Sequence, residues 1–114
     1  MIEKIILDYL SESLPGVPVK MEVPESRPAA FVVIEKTGSN RINHIDSATI
    51  AVQSYAESLY DAAALNEQVK AAMFDAITLD SISRSALNSD YNYTDTASKH
   101  YRYQAVFDVT FYDD

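Results

Sequence analysis

Apolar and polar positions along the chain alternate between two periods, and the places where the period changes mark its elements. Ile2, Ile5, Ile6, Tyr9 and Leu10 recur at helical spacing, with Glu3, Lys4, Asp8 and Glu12 on the other side. Leu14-Pro15-Gly16 ends this predicted helix, because proline disfavours helical geometry at the residue before it and glycine permits a turn. Val17 to Val23 then alternates, with Val19, Met21 and Val23 on one face, and predicts a short strand with Pro18 near its start. After the connector PESRP, Phe31 to Ile34 is apolar on both faces, as in a strand with neighbours on each side. Thr37-Gly38-Ser39-Asn40 has the chemistry of a turn.

The stretch DSATIAVQSYAESLYDAAAL passes from period two to helical spacing with neither glycine nor proline between. A strand at about 45–55 places Ala48, Ile50 and Val52 on one face and Thr49, Ala51, Gln53 and Tyr55 on the other. Ser58 is the expected cap of the following helix, with Asp61 at its third position. Ala62, Leu65, Val69, Ala72, Met73 and Ala76 form the apolar stripe of that helix. Ile82 to Tyr93 reads as extended, with Leu87, Tyr91 and Tyr93 sharing a parity. From His100 to Tyr112 the odd positions are Tyr101, Tyr103, Ala105, Phe107, Val109 and Phe111, the strongest period-two signal in the chain. Thr94 to Lys99 would join these two strands as a hairpin, with Tyr91 and Tyr93 across from Tyr101 and Tyr103. The order predicts one α+β domain over residues 1–114: a single, mostly antiparallel sheet of about five strands with two helices packed on one face.

Charge changes this picture little. Nine basic and 17 acidic residues give a net charge of −8. Five basic and eight acidic residues fall in 1–57, and four and nine in 58–114, so no basic stripe exists to grip nucleic acid by its phosphates. Cysteine is absent, which excludes disulfides, thiolate metal sites and cysteine nucleophiles. Glu3, Lys4 and Asp8 interrupt the N-terminal apolar pattern, unlike a signal peptide, and no apolar run approaches the ~20 residues of a membrane helix. A soluble protein made in the cytoplasm, with no membrane partner, is the expectation.

Candidate chemistry is sparse. His44 and His100 lie in different segments, and neither has a partner at metal-ligand spacing. Asp90, Asn92 and Thr94 begin like a calcium loop, but Asp95 replaces the required glycine and Tyr101 the bidentate glutamate. Serines 81, 83, 85 and 89 have no adjacent base and no nucleophile elbow, and two glycines cannot build a phosphate-cradling loop. No catalytic residue, metal or cofactor is expected. Eight tyrosines without a tryptophan, four of them in YNY and YRY, fit either a protein interface or a half-exposed hairpin padded by aromatics.

The segments RPAAFVV, DSATIAVQSYAES, AAALNEQVKAAM and YNYTDTASKHYRYQAVFDVTFY resemble, in that order, the tail terminator (tail completion) proteins of long-tailed phages. Members from prophages of Gram-positive bacteria, often labelled minor capsid proteins, are the most similar. The resemblance spans about residues 17–112. It implies a small α+β subunit of the virion tail or neck that assembles as a hexameric ring. The ring would cap the tail tube protein, stop tail growth and present the face that joins the head connector protein, with DNA only as passing cargo. It further implies that function resides in assembled surfaces, without active site or cofactor. The single glycine in TGSNRINH departs from the flexible loop expected at that point. From residue type and position, the candidate contacts are Arg41 and Asn43 in a long loop, Thr49 and Gln53 on the less apolar strand face, and the hairpin tyrosines Tyr91, Tyr93, Tyr101 and Tyr103. Other readings are a head-completion or connector-adaptor protein, a monomeric ligand-binding α+β domain and, last, a hydrolase.

Overall fold

The computed structural model describes residues 1–98 and 100–112. Two helices, α1 (Ile2–Ser13) and α2 (Leu59–Phe74), accompany five strands: β1 (Val19–Lys20), β2 (Phe31–Ile42), β3 (Ile45–Ala56), β4 (Ile82–Asn92) and β5 (Tyr101–Phe111). The strands form one sheet in the order β1-β2-β3-β5-β4, antiparallel except for the β1–β2 pair. The fold is therefore α+β, with a mixed, mostly antiparallel sheet.

One cluster holds most of the core. Ile2, Ile6 and Leu10 of α1 and Leu65, Val69 and Met73 of α2 bury against Val32 and Ile34, Ile50 and Val52, and Ala105, Phe107 and Val109. These strand residues share one side of the sheet, because Ile34 pairs with Val52 and Val52 with Ala105. Both helices thus cover the same face. Each does so because its apolar residues recur at the helical period while each strand offers every second residue.

The ends of the helices follow their local chemistry. The amide of Leu14 still bonds to the Leu10 carbonyl at 2.9 Å, and Gly16 then turns the chain at φ +80°, a region that L side chains adopt at a cost. The Ser58 hydroxyl accepts from the Asp61 amide at 3.1 Å, capping α2.

Four expectations need correction. The strand expected over Val17–Val23 contains only Val19 and Lys20, and Met21 and Val23 are exposed. It pairs on one side only, and Pro18 and Pro24 at its flanks cannot donate to a ladder. Thr37-Gly38-Ser39-Asn40 is not a turn but the middle of β2, with a bulge at Thr37 between Lys36 and Gly38. The chain reverses instead at Asn43 and His44, both at positive φ (52° and 65°). A two-residue loop with this backbone hand matches the twist of its strands. Only a reversal at 43–44 lets two 12-residue strands pair along their whole length, from Ile42–Ile45 to Phe31–Tyr55.

The third correction is parity. Leu87 and Tyr91 are both odd, but a bulge at Asn88 reverses the alternation between them. Leu87 packs on the core opposite Phe107, whereas Tyr91 lies opposite Gln104 on the uncovered face. The fourth follows from this register. Tyr103 pairs with Asn92, and the Tyr93 amide bonds to the Arg102 carbonyl, so the YNY tyrosines face Gln104 and Arg102 rather than Tyr101 and Tyr103. The β4–β5 turn is present as expected, closed by an Asp95–His100 bridge, although Lys99 lies outside the described residues. The Ser98 hydroxyl and the Ala97 amide beside Asp95 hold its carboxyl below the usual carboxylate range.

Candidate functional site: the open face of the sheet

Among the described residues, no helix or strand covers the side of the sheet away from the helices, yet its side chains are far from loose. At one end Phe31 and Tyr55 stack with ring centroids 4.5 Å apart. The Arg27 guanidinium lies over both rings, 5.9 and 5.5 Å from their centroids. Arg102, from the neighbouring strand, donates to the Tyr55 hydroxyl at 2.9 Å and to the Tyr93 carbonyl at 2.6 Å. Its guanidinium also sits 4.4 Å from the Tyr93 ring centroid, within the range of a cation–π contact. Tyr93 meets Tyr91 edge to face at 5.9 Å.

A chain of amides continues the network across three strands. Tyr55 donates to Gln53 Oε1 at 3.3 Å, Gln53 Nε2 donates to Gln104 Oε1 at 2.8 Å, and Gln104 Nε2 donates to the Tyr91 hydroxyl at 2.6 Å. Gln53 and Gln104 are opposite one another on β3 and β5, so their amides meet with little extension of either side chain. Further along, Thr49 donates to one Asp108 oxygen at 3.2 Å and Asn88 to the other at 3.1 Å. Asn88 is on this face by alternation from Leu87, and the bulge at Asn88 turns Tyr91, further along β4, to the same face. Linked hydrogen bonds polarise one another, and an aromatic ring held by its neighbours loses little entropy on contact. The result is a preorganised polar and aromatic surface.

The candidate contacts separate into three places. Thr49, Gln53, Tyr91 and Tyr93 belong to the open face, and Tyr91 and Tyr93 remain 42 % and 43 % exposed. Arg41 and Asn43 lie at the β2–β3 hairpin, Arg41 in the strand and Asn43 in its tight turn, so no long loop exists there. Tyr101 and Tyr103 share the parity of Ala105 and Phe107 and are on the helix side. The tyrosine hairpin is therefore not one surface but two. Arg27, Tyr55, Arg102 and Gln104 were not among the candidates. Their signal was present as polar and aromatic residues on the less apolar parity, but their connection requires knowing that β3 pairs with β5.

On the helix side, Asn66 is buried within the α2 stripe and donates to Asp90 at 3.0 Å. Lys70 lies 2.9 Å from both Asp90 and Glu67, and these carboxylates, Asp90 foremost, raise the pKa of its ammonium. This cluster ties α2 to β4 and puts Asp90 in an ion pair rather than a calcium loop. His44 and His100 are exposed at turns on opposite ends of the sheet. Among the described residues no three of His, Cys, Asp or Glu come together as a metal site, and no helix is long and apolar enough to cross a membrane. Comparison with protein-family models and with curated proteins finds no match.

Proposed function

We propose that this protein is a structural subunit of a phage tail, a terminator that caps the tail tube as a ring, ends its growth and forms the face that joins the head. The observation that carries the reading is the open sheet face. Its polar and aromatic groups are held by one another, and it suits contact with a protein surface better than turnover of a small molecule. The resemblance over residues 17–112 supplies the setting, and the α+β sheet with both helices on one side agrees with the fold it implies. The net charge of −8 suits a subunit past which DNA moves without sticking.

A deletion tests this reading. Phage lacking the protein should make tails of irregular, extended length that fail to join heads, as seen by electron microscopy. Tails of normal length that still fail to join would replace the terminator with a connector adaptor.

A further inference from the structure

The cations that the fold leaves without a carboxylate partner gather on the open face of the sheet. Lys4, Lys36, Arg41 and Lys70 are ion-paired within the helices or on the helix side. Among the described residues no ion pair engages Lys20, Arg27, Arg84 or Arg102. The register puts Lys20 beside Val33 and Arg84 beside Thr110, both on the open side, and Arg102 shares the parity of Gln104. Arg27 reaches the same side over Phe31 and Tyr55. The strand carboxylates here are Glu35 and Asp108, and both Asp108 oxygens already accept from Thr49 and Asn88. The helices show the opposite balance, since α1 and α2 together carry five carboxylates and two lysines. The net charge of −8 thus conceals a molecule polarised across its sheet.

Two of these cations converge on one ring. The guanidinium carbons of Arg27 and Arg102 lie 5.5 and 5.7 Å from the Tyr55 centroid. Arg102 spends its Nε and one terminal nitrogen on the Tyr93 carbonyl and the Tyr55 hydroxyl, leaving its other N–H groups for a ligand. Asp95 feels the Arg102 charge from the β4–β5 turn without pairing with it. No hydrogen bond engages the Arg27 guanidinium among the described residues. It borders a cleft of about 380 Å³ with Phe31, Tyr55, Glu57 and His100, and Glu57 does not pair with it. A guanidinium stacked on a ring keeps its N–H edge open, the geometry that takes a carboxylate in two parallel hydrogen bonds. Like charges gathered around one ring repel, and a carboxylate between them relieves that repulsion.

We propose that the open face binds an acidic segment of another protein, with a carboxylate seated between Arg27 and Arg102. Further carboxylates meet Lys20 or Arg84 towards the edges of the sheet, and the segment's other side chains lie on Tyr91 and Tyr93. The inference rests on the reading of this face as a protein contact and names the chemistry of the partner. Nucleic acid suits the face less well. Its dense phosphates are repelled at long range by a chain of net charge −8, whereas a segment of sparse carboxylates meets the cations only at short range.

Fluorescence anisotropy of the purified full chain tests it. The probe is a labelled peptide of alternating Glu and Tyr, about ten residues long and so able to reach across the five strands. The native protein should bind it at least about tenfold more tightly than the same peptide with Gln for Glu, the loss of one charge-assisted contact. Arg27→Glu, on an exposed connector, should weaken binding by a similar factor with an unchanged circular dichroism spectrum. Lys4→Glu makes the same change in net charge on α1 and should alter binding less than about twofold at physiological salt. Absence of binding overturns the inference, as does equal binding of the glutamine peptide. So does native binding by Arg27→Glu, an equal loss in Lys4→Glu, or tighter binding of an oligothymidylate of the same length. A protein that binds no acidic peptide but whose deletion gives overlong tails would discard this inference and keep the terminator. Charge-dependent peptide binding together with normal tails would do the reverse.

Discussion

At the scale of single residues, the fold depends on a few side chains that several elements share. Phe107 is fully buried at the centre of β5, pairs across the sheet with Ile50 and Leu87, and meets Phe74 of α2 edge to face at 5.5 Å. Phe107→Ala removes contacts to three other elements at once and should cost about 3–5 kcal/mol, a large part of the stability of a domain this size. Thr110, on the opposite parity, should cost less than about 1 kcal/mol as alanine. Denaturant melts of the two variants check this, and equal losses would contradict the register of β5. Asn66 shows where residue-level reading falls short. It is a polar residue at a position within the apolar stripe of α2, and its burial makes sense only once Asp90 faces it from β4. Asp90 does so only because Asn88 bulges.

At the scale of elements, the two glycines separate turn from strand. Gly16 follows α1 at φ +80°, so Gly16→Ala should lose roughly 1–2 kcal/mol through backbone strain although nothing stands within 4 Å of an added methyl. Gly38 lies in β2 with an ordinary backbone and equally open space, so Gly38→Ala should be neutral or stabilise slightly by restricting the unfolded chain. Thermal melts distinguish the two. A Gly38→Ala loss as large as that of Gly16 would restore the turn that Thr37–Asn40 suggests and move the hairpin. The helices and the long strands Ile45–Ala56 and Tyr101–Phe111 were legible because each carries its own period over ten or more residues. The β2–β3 turn was not. Asn43-His44 lacks glycine, and although Asn and His accept a left-handed backbone more readily than most residues, only the pairing of the strands on either side selects this turn over Thr37–Asn40.

At the scale of the whole molecule, the sheet separates two jobs. One side holds the core and both helices, and the other holds the Arg27–Tyr55–Arg102–Gln104–Tyr91 network. Arg102 joins the most parts of that network, so under the proposed terminator function Arg102→Ala should lower infectivity at least tenfold while costing only about 1–2 kcal/mol of stability. Infectivity titres and a melt of the purified variant check both halves, and a normal titre would remove the open face from the contact surfaces. The period along the chain determined the helices, most strands, their apolar faces and hence the α+β class, because those depend on neighbours within a few residues. Tertiary structure alone decided that Tyr91 and Tyr93 part from Tyr101 and Tyr103, that Gln53 meets Gln104, and that Ile42 and Ile45 are exposed. Each of these rests on a bulge or a strand pairing between residues distant in sequence. Shifting such a register by one residue sends a side chain to the other face, and the local pattern of this chain tolerates either choice.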